Sequence, residues 1–125
     1  MKCDRWINLA VQEAKKSTYH QKLGSVLFNK KQFISSSYNN PERAVKHHHP
    51  KFRKFYHSIH AEVGAILNAR KDLKGASILV VRINRNNQFL LAKPCFHCQS
   101  YLEFVGIKNC FYSVPHYPYI EMMKF

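Results

Sequence analysis

Two short segments hold residues whose types and spacing could do chemistry: His60-Ala61-Glu62 and Pro94-Cys95-Phe96-His97-Cys98. One imidazole and two thiolates are donors that zinc takes in tetrahedral geometry, and a site with three protein ligands keeps a fourth position for water. Zinc lowers the pKa of such a water to about 7. Glu62 lies two residues beyond His60, close enough to reach that water yet offset from the ligand direction, where a carboxylate can take and return protons. These features mark a catalytic metal centre, since a structural zinc would want a fourth side chain. The plainer alternatives are a small structural zinc site, or a redox Cys-x-x-Cys with an unrelated histidine.

For one ion to be shared, both segments must open helices beside the same sheet. A helix N-terminus carries partial positive charge and unpaired N–H groups, which lower a thiol pKa and favour Cys95 and Cys98 as thiolates. From His60, the residues Ala61, Ala65, Ile66, Leu67 and Ala69 predict a helix ending near Lys74-Gly75. Pro94 suits a first helical turn, so a second helix is expected over Cys95 to Val105, closed by Gly106. Ile78 to Val81 with Ile83 reads as a central strand buried on both faces, Asn84 to Asn87 as a polar turn, and Cys110 to Val114 as a further strand. Upstream, Trp6, Ile7, Ala10, Val11 and Ala14 predict a covering helix over residues 3 to 17. Ser25 to Phe28 and Gln32 to Tyr38 suggest a hairpin around Asn29-Lys30. Residues 39 to 59 read as a long loop, and Pro115 and Pro118 interrupt the last eleven residues. The order of two strands, helix, strand, helix, strand calls for a three-layer α/β sheet with parallel crossovers.

At 125 residues and 14.7 kDa, with 46% hydrophobic residues, the chain is sized for one domain that needs neither disulfide nor metal to fold. Twenty Lys and Arg against seven Asp and Glu give a net charge of +13, which favours anionic partners such as nucleotides, nucleic acid or an anionic surface. There is no signal-like N-terminus and no stretch of apolar residues long enough for a membrane span. The four cysteines lack the spacing of a disulfide scaffold, so an intracellular, cytoplasmic protein with no membrane partner is expected.

The His-Ala-Glu and Pro-Cys-x-x-Cys motifs, at residues 60–62 and 94–98, resemble those of the zinc-dependent cytidine and deoxycytidylate deaminase superfamily, with the resemblance covering about residues 20 to 114. It implies a three-layer α/β/α fold whose mixed sheet carries an N-terminal β-hairpin, in a single domain spanning residues 1–125. It implies that His60, Cys95 and Cys98 hold Zn2+, that hydroxide attacks the ring carbon bearing the exocyclic amine, and that Glu62 shuttles protons until ammonia leaves. The backbone N–H of Cys95 would face the oxygen developing on the intermediate, and Ala61 would lie beside the substrate. Asn39 looks like the family's sugar contact, although Asn39-Asn40-Pro41 is also a good turn. Members usually continue after the fourth strand with a helix and a fifth strand. Here Pro115 to Phe125 remains, a C-terminally shortened version in which Tyr117, Tyr119, Ile120, Met122, Met123 and Phe125 would form a compact helix or a docked tail.

Between Arg43 and His57 the chain is unusually basic and aromatic, and His49-Pro50 resembles a loop found in small nucleotide deaminases, some of them viral. His49, Lys51 and Arg53 are the candidates there for substrate phosphate, with ring stacking on a base. A second metal at His47 to His49 is a weaker expectation, as three consecutive histidines seldom converge on one ion. Phe96, Tyr101 and Phe104 are expected to pack the second helix, His97 to face the pocket wall or solvent, and Cys110 to be a buried strand thiol. The implied reaction is hydrolytic deamination of a cytosine nucleotide such as dCMP, dCTP or cytidine. Its competitors are deamination of cytosine or adenine in single-stranded DNA or RNA, and a non-catalytic nucleic-acid-binding zinc protein. The resemblance also implies a homo-oligomer.

Overall fold

The computed structural model describes residues 4–18, 21–40 and 60–125. Trp6, Ala10 and Ala14 recur every fourth residue and form the buried stripe of helix α1 (Asp4–Lys15), with Asp4 in its first turn and Lys15 in its last. The hairpin β1 (Lys22–Asn29) and β2 (Gln32–Tyr38) turns through Lys30, whose φ of 56° is left-handed. Helix α2 (Ala61–Ala69) leads to β3 (Ser77–Ile83), and a turn at Asn84–Asn87 returns the chain along β3 as the two-residue strand β4 (Phe89–Leu90). Helix α3 (Phe96–Phe104), β5 (Asn109–Ser113) and β6 (Ile120–Lys124) complete the described elements.

The strands form one mixed sheet in the order β2-β1-β3-β5-β6, with β4 on β3. β1 is antiparallel to β2 and β3, β3 and β5 are parallel, and β6 is antiparallel to β5. Alternate β3 residues serve opposite faces, as a strand's period of two requires. Leu79, Val81 and Ile83 pack with Val26 and Phe28 against α1, while Ile78 and Val80 pack with Leu27, Ala65 and Leu102 under α2 and α3. This is the expected three-layer arrangement. Trp6 stacks on Phe28 at 5.1 Å between ring centroids, anchoring α1 to the sheet.

Two expectations change. The helix from His60 stops at Ala69 and not near Gly75, because Arg70 takes a left-handed φ of 52° and Leu73 turns into the core. The last residues form neither a compact helix nor a docked tail but the edge strand β6. Ile120 joins Phe111 on the α1 face and Met123 joins Cys110 on the other, an alternation hidden in sequence behind Pro115 and Pro118.

Gly24 sets the closest approach of α1 to the sheet. A Cβ there would fall onto the Ala10 carbonyl oxygen and lie 2.5 Å from the Ala14 backbone nitrogen. Backbone cannot move aside as a side chain can. Gly24→Ala is expected to lower unfolding stability by about 1–3 kcal/mol, measured by urea denaturation, with the midpoint falling and the slope unchanged.

Candidate metal centre

Because β2 and β3 run the same way and α2 runs back between them, the start of α2 lies over the end of β3. The helix α3 returns in the same manner between the parallel strands β3 and β5, bringing its own start to that end. Ligands collect at this kind of strand-end crevice in open α/β sheets.

Side chains from the hairpin hold α2 in place. The buried Ser25 hydroxyl donates to the Ala61 carbonyl and the buried Ser35 hydroxyl to the Ala65 carbonyl, each at 2.6 Å. The α3 start is held by main chain and one amide: Ala92 N–H donates to the Ser113 carbonyl at 2.9 Å, and Gln99 Nε2 donates to the Pro94 carbonyl at 2.7 Å. His60 and Cys95 are the N-cap residues of α2 and α3, both in extended conformation, and neither caps its helix with a side chain. Their side chains are thereby left for each other.

The ligand atoms of His60, Cys95 and Cys98 all lie within 4.8 Å of one another, and His60 Nδ1 stands 3.4 Å from Cys98 Sγ. Bond lengths of about 2.0–2.3 Å in a tetrahedron put donor atoms about 3.5–3.8 Å apart, so this set fits a zinc ion in both spacing and chemistry. Hydrogen bonds from Cys98 and His60 bring the Cys95 thiol down to about 3, a thiolate at neutral pH, and the His60 imidazole is raised chiefly by its hydrogen bond with Cys95. A metal would displace that shared proton.

Glu62 sits in the first turn of α2, buried at 4% exposure. Burial pushes its carboxyl up from the ordinary value, while the charge of His60 and a hydrogen bond from Cys98 pull the other way. The four groups that a three-ligand centre with an acid–base partner requires, His60, Cys95, Cys98 and Glu62, are together in one place.

Asn39 is tied into the hairpin. Its Oδ1 accepts from Leu23 N–H at 3.0 Å and its Nδ2 donates to the Gln21 carbonyl at 2.6 Å, so it pins the end of β2 to the start of β1 beside the site. Ala61 is buried against Ser25. His49, Lys51, Arg53 and the histidines considered for a second metal lie outside the described residues. Cys110 is the buried strand thiol expected, its pKa raised by burial. Tyr101 is buried on α3, whereas Phe104 is 49% exposed and Phe96, expected to pack the helix, is 74% exposed and lies edge-on to His97 at 5.7 Å. Helical spacing alone does not say which side meets the sheet.

Arg82 has no counterpart among the expected site residues. It follows Ile78 and Val80 on the face beneath α2 and α3 and is paired in register with Leu23, one pleat beyond the Ser25–Val80 pair that lies under Ala61. Its Nε is buried without a hydrogen-bond partner. The signal in sequence was a lone charge inside the apolar run Ile78 to Ile83.

Residues 1–114 match the sequence pattern of the cytidine and deoxycytidylate deaminase zinc-binding region. The chain belongs to the cytidine and deoxycytidylate deaminase family. It is a zinc-dependent deaminase whose His60, Cys95 and Cys98 form a group able to hold a metal ion. No curated protein is similar enough to count as a match. Among solved structures, dCMP deaminase from the cyanophage S-TIM5 in apo form aligns with a TM-score of 0.64, at 14% identity, over 89% of this chain and 81% of that one. The same phage enzyme in complex with dCMP and dUMP gives 0.57, at 14% identity, over 93% and 85%. A mutant cytidine deaminase from Mycobacterium tuberculosis gives 0.54, at 15% identity, over 90% and 84%. At these identities the likeness is one of fold. No helix among the described residues of the deaminase is long and apolar enough to cross a membrane.

The thiol environments make a chemical prediction. At pH 7, iodoacetamide should alkylate Cys95 of the metal-free deaminase well before Cys110, and one equivalent of zinc should slow the Cys95 reaction by about tenfold or more, as read by peptide mass spectrometry.

Proposed function

We propose that this deaminase converts a free cytosine nucleotide of the dCMP or dCTP type into the corresponding uracil nucleotide with release of ammonia. The observation that carries the proposal is the buried Glu62 carboxyl set against His60, Cys95 and Cys98, a three-donor group with a proton-transfer residue beside it. His60 Nδ1 and the two thiolates would hold zinc, which supplies, when bound, a Lewis acid that makes water nucleophilic near neutral pH. Glu62 takes a proton at its carboxylate as water adds to the ring carbon and returns it to the departing amine, so that water and the amine exchange with no change in redox state. Burial serves this role, since a carboxyl shifted toward neutrality can both accept and release the proton. The Cys95 backbone N–H, at the α3 start, faces the oxygen where negative charge develops. Asn39, fixed by its two backbone contacts, offers its remaining amide hydrogen to the sugar, with Ala61 lining the same side.

Arg82 supports a phosphate-bearing substrate over a nucleoside. Its guanidinium stands at the site end of β3 with a buried, unpartnered nitrogen, and a substrate phosphate supplies the acceptor. The complex of the fold-related phage enzyme with dCMP and dUMP points the same way. A polynucleotide substrate is the reading favoured by the net charge of +13. A panel of nucleosides, nucleotides and single-stranded oligonucleotides, followed by mass spectrometry for amine-to-carbonyl conversion, separates the two.

Glu62→Gln should retain zinc and the fold while losing about 10²–10⁴-fold in kcat; an active variant would sink the mechanism. Arg82→Gln should raise KM for the nucleotide by about tenfold with kcat little changed and leave the nucleoside unaffected. An equal loss on both substrates would show that Arg82 is structural.

A further inference from the structure

The end of the sheet opposite the metal centre is where half of the described cationic side chains collect. At one side of it, Lys30 and Lys31 form the β1–β2 turn, both exposed. In the middle, the α2–β3 connection carries the exposed Arg70, Lys71 and Lys74. Toward the other edge, Lys108 precedes β5 and Lys124 closes β6 opposite Asn109. Main-chain contacts fuse these connections into one surface: Gly75 N–H donates to the Gly106 carbonyl at 2.8 Å, Lys108 N–H to the Ala76 carbonyl at 2.8 Å, and Phe125 N–H to the Lys108 carbonyl at 3.1 Å. Gly106, at a φ of 91°, lies against Lys74, where a side chain would collide with the Lys74 Cα at 2.9 Å.

Seven of the fourteen Lys and Arg among the described residues stand here, against two acidic side chains, Asp72 and, on the last turn of α3, Glu103. Asp72 already accepts from Lys74 N–H at 3.0 Å. The two ion pairs among the described residues, Lys16–Glu13 and His116–Glu121, involve none of the seven. The C-termini of α2 and α3 also point this way, but two helix ends present roughly one elementary negative charge between them, far short of what seven cations would neutralise. The surplus faces solvent and lowers stability by self-repulsion.

We propose that this basic end is a docking surface for the phosphodiester backbone of a single-stranded nucleic acid, separate from the metal centre. The cations follow the connections across the sheet from the β2 side to β6, a row about 19 Å long at the usual strand spacing, suited to a chain of repeated phosphates. Phe33, 45% exposed two residues after Lys31, gives the row an aromatic face on which a base can stack. The seven residues of β3 separate the row from the site by about 20 Å, so one mononucleotide cannot occupy both. Docking here therefore stands independently of the substrate proposed above.

The test is fluorescence anisotropy of a labelled mixed-sequence 20-nucleotide single strand, titrated with the full chain between about 50 and 300 mM salt. Two triple variants are compared, both checked by circular dichroism: Lys71→Glu with Lys74→Glu and Lys108→Glu on the row, and Lys15→Glu with Lys16→Glu and Arg85→Glu away from it. The row variant should bind at least about tenfold more weakly at low salt, with a log–log salt slope smaller by about two, and the matched variant should lose much less. Deamination of a mononucleotide by the row variant should stay within about twofold of the parent, so a failure of docking is distinct from a failure of the substrate assignment. Equal losses in the two variants would mean net charge alone binds the strand, and an unchanged row variant would place binding elsewhere. Tighter binding to phosphatidylserine vesicles than to the strand would also overturn the proposal. Glutamine at the same three row positions gives the same ordering if charge reversal disturbs the fold.

Discussion

A carboxyl group cannot be taken out of water at Glu62 unless something nearby keeps it in use, and the rest of the architecture can be understood as meeting that condition. Its neighbours are the imidazole of His60 and the thiol of Cys98, one from its own helix and one from a helix that begins 34 residues later. Two helix starts must meet over one strand end. The sheet order β2-β1-β3-β5 achieves this, since β2, β3 and β5 share a direction and each connecting helix returns to the same side. Position along the helix axis is then set by Ser25 and Ser35, which fasten α2 to the hairpin by carbonyls spaced one turn apart.

Much of this was legible in the residues themselves. The two motifs marked the helix starts, and the run Ile78 to Val81 marked the strand between them, because burial on both faces needs an unbroken apolar segment. Spacing could say that His60, Cys95 and Cys98 are the right donors, whereas their meeting depends on sheet order, which local sequence does not encode. The helix end at Arg70 was missed because the left-handed stop fell on an arginine and not on the nearby glycine. The strand β6 was missed because two prolines preceded it and its pairing partner, β5, is a tertiary neighbour. Arg82 and the two fastening serines escaped notice for a related reason, since nothing in a strand's own sequence says what lies above it.

The three described cysteines show how place decides chemistry for one residue type. Cys95, at a helix start and partly exposed, is held as a thiolate by its neighbours, while Cys110 near the start of β5 is kept protonated by burial. Cys98 is buried as fully as Cys110 yet faces His60 and Glu62, so its sulfur belongs to the polar centre. In sequence these three thiols are equal; the fold makes them different.

The edge strand β6 has a consequence of another kind. An edge strand with free main-chain groups invites pairing with other chains, and this one carries Met122, 47% exposed, next to Met123. Glu121 and Lys124 interrupt it with opposite charges on a segment of five residues, too short and too charged to extend readily into a stacked ribbon. The element that closes the sheet is thus also its guard against aggregation, and a change that made it longer or more apolar would be felt in solubility before it was felt in catalysis.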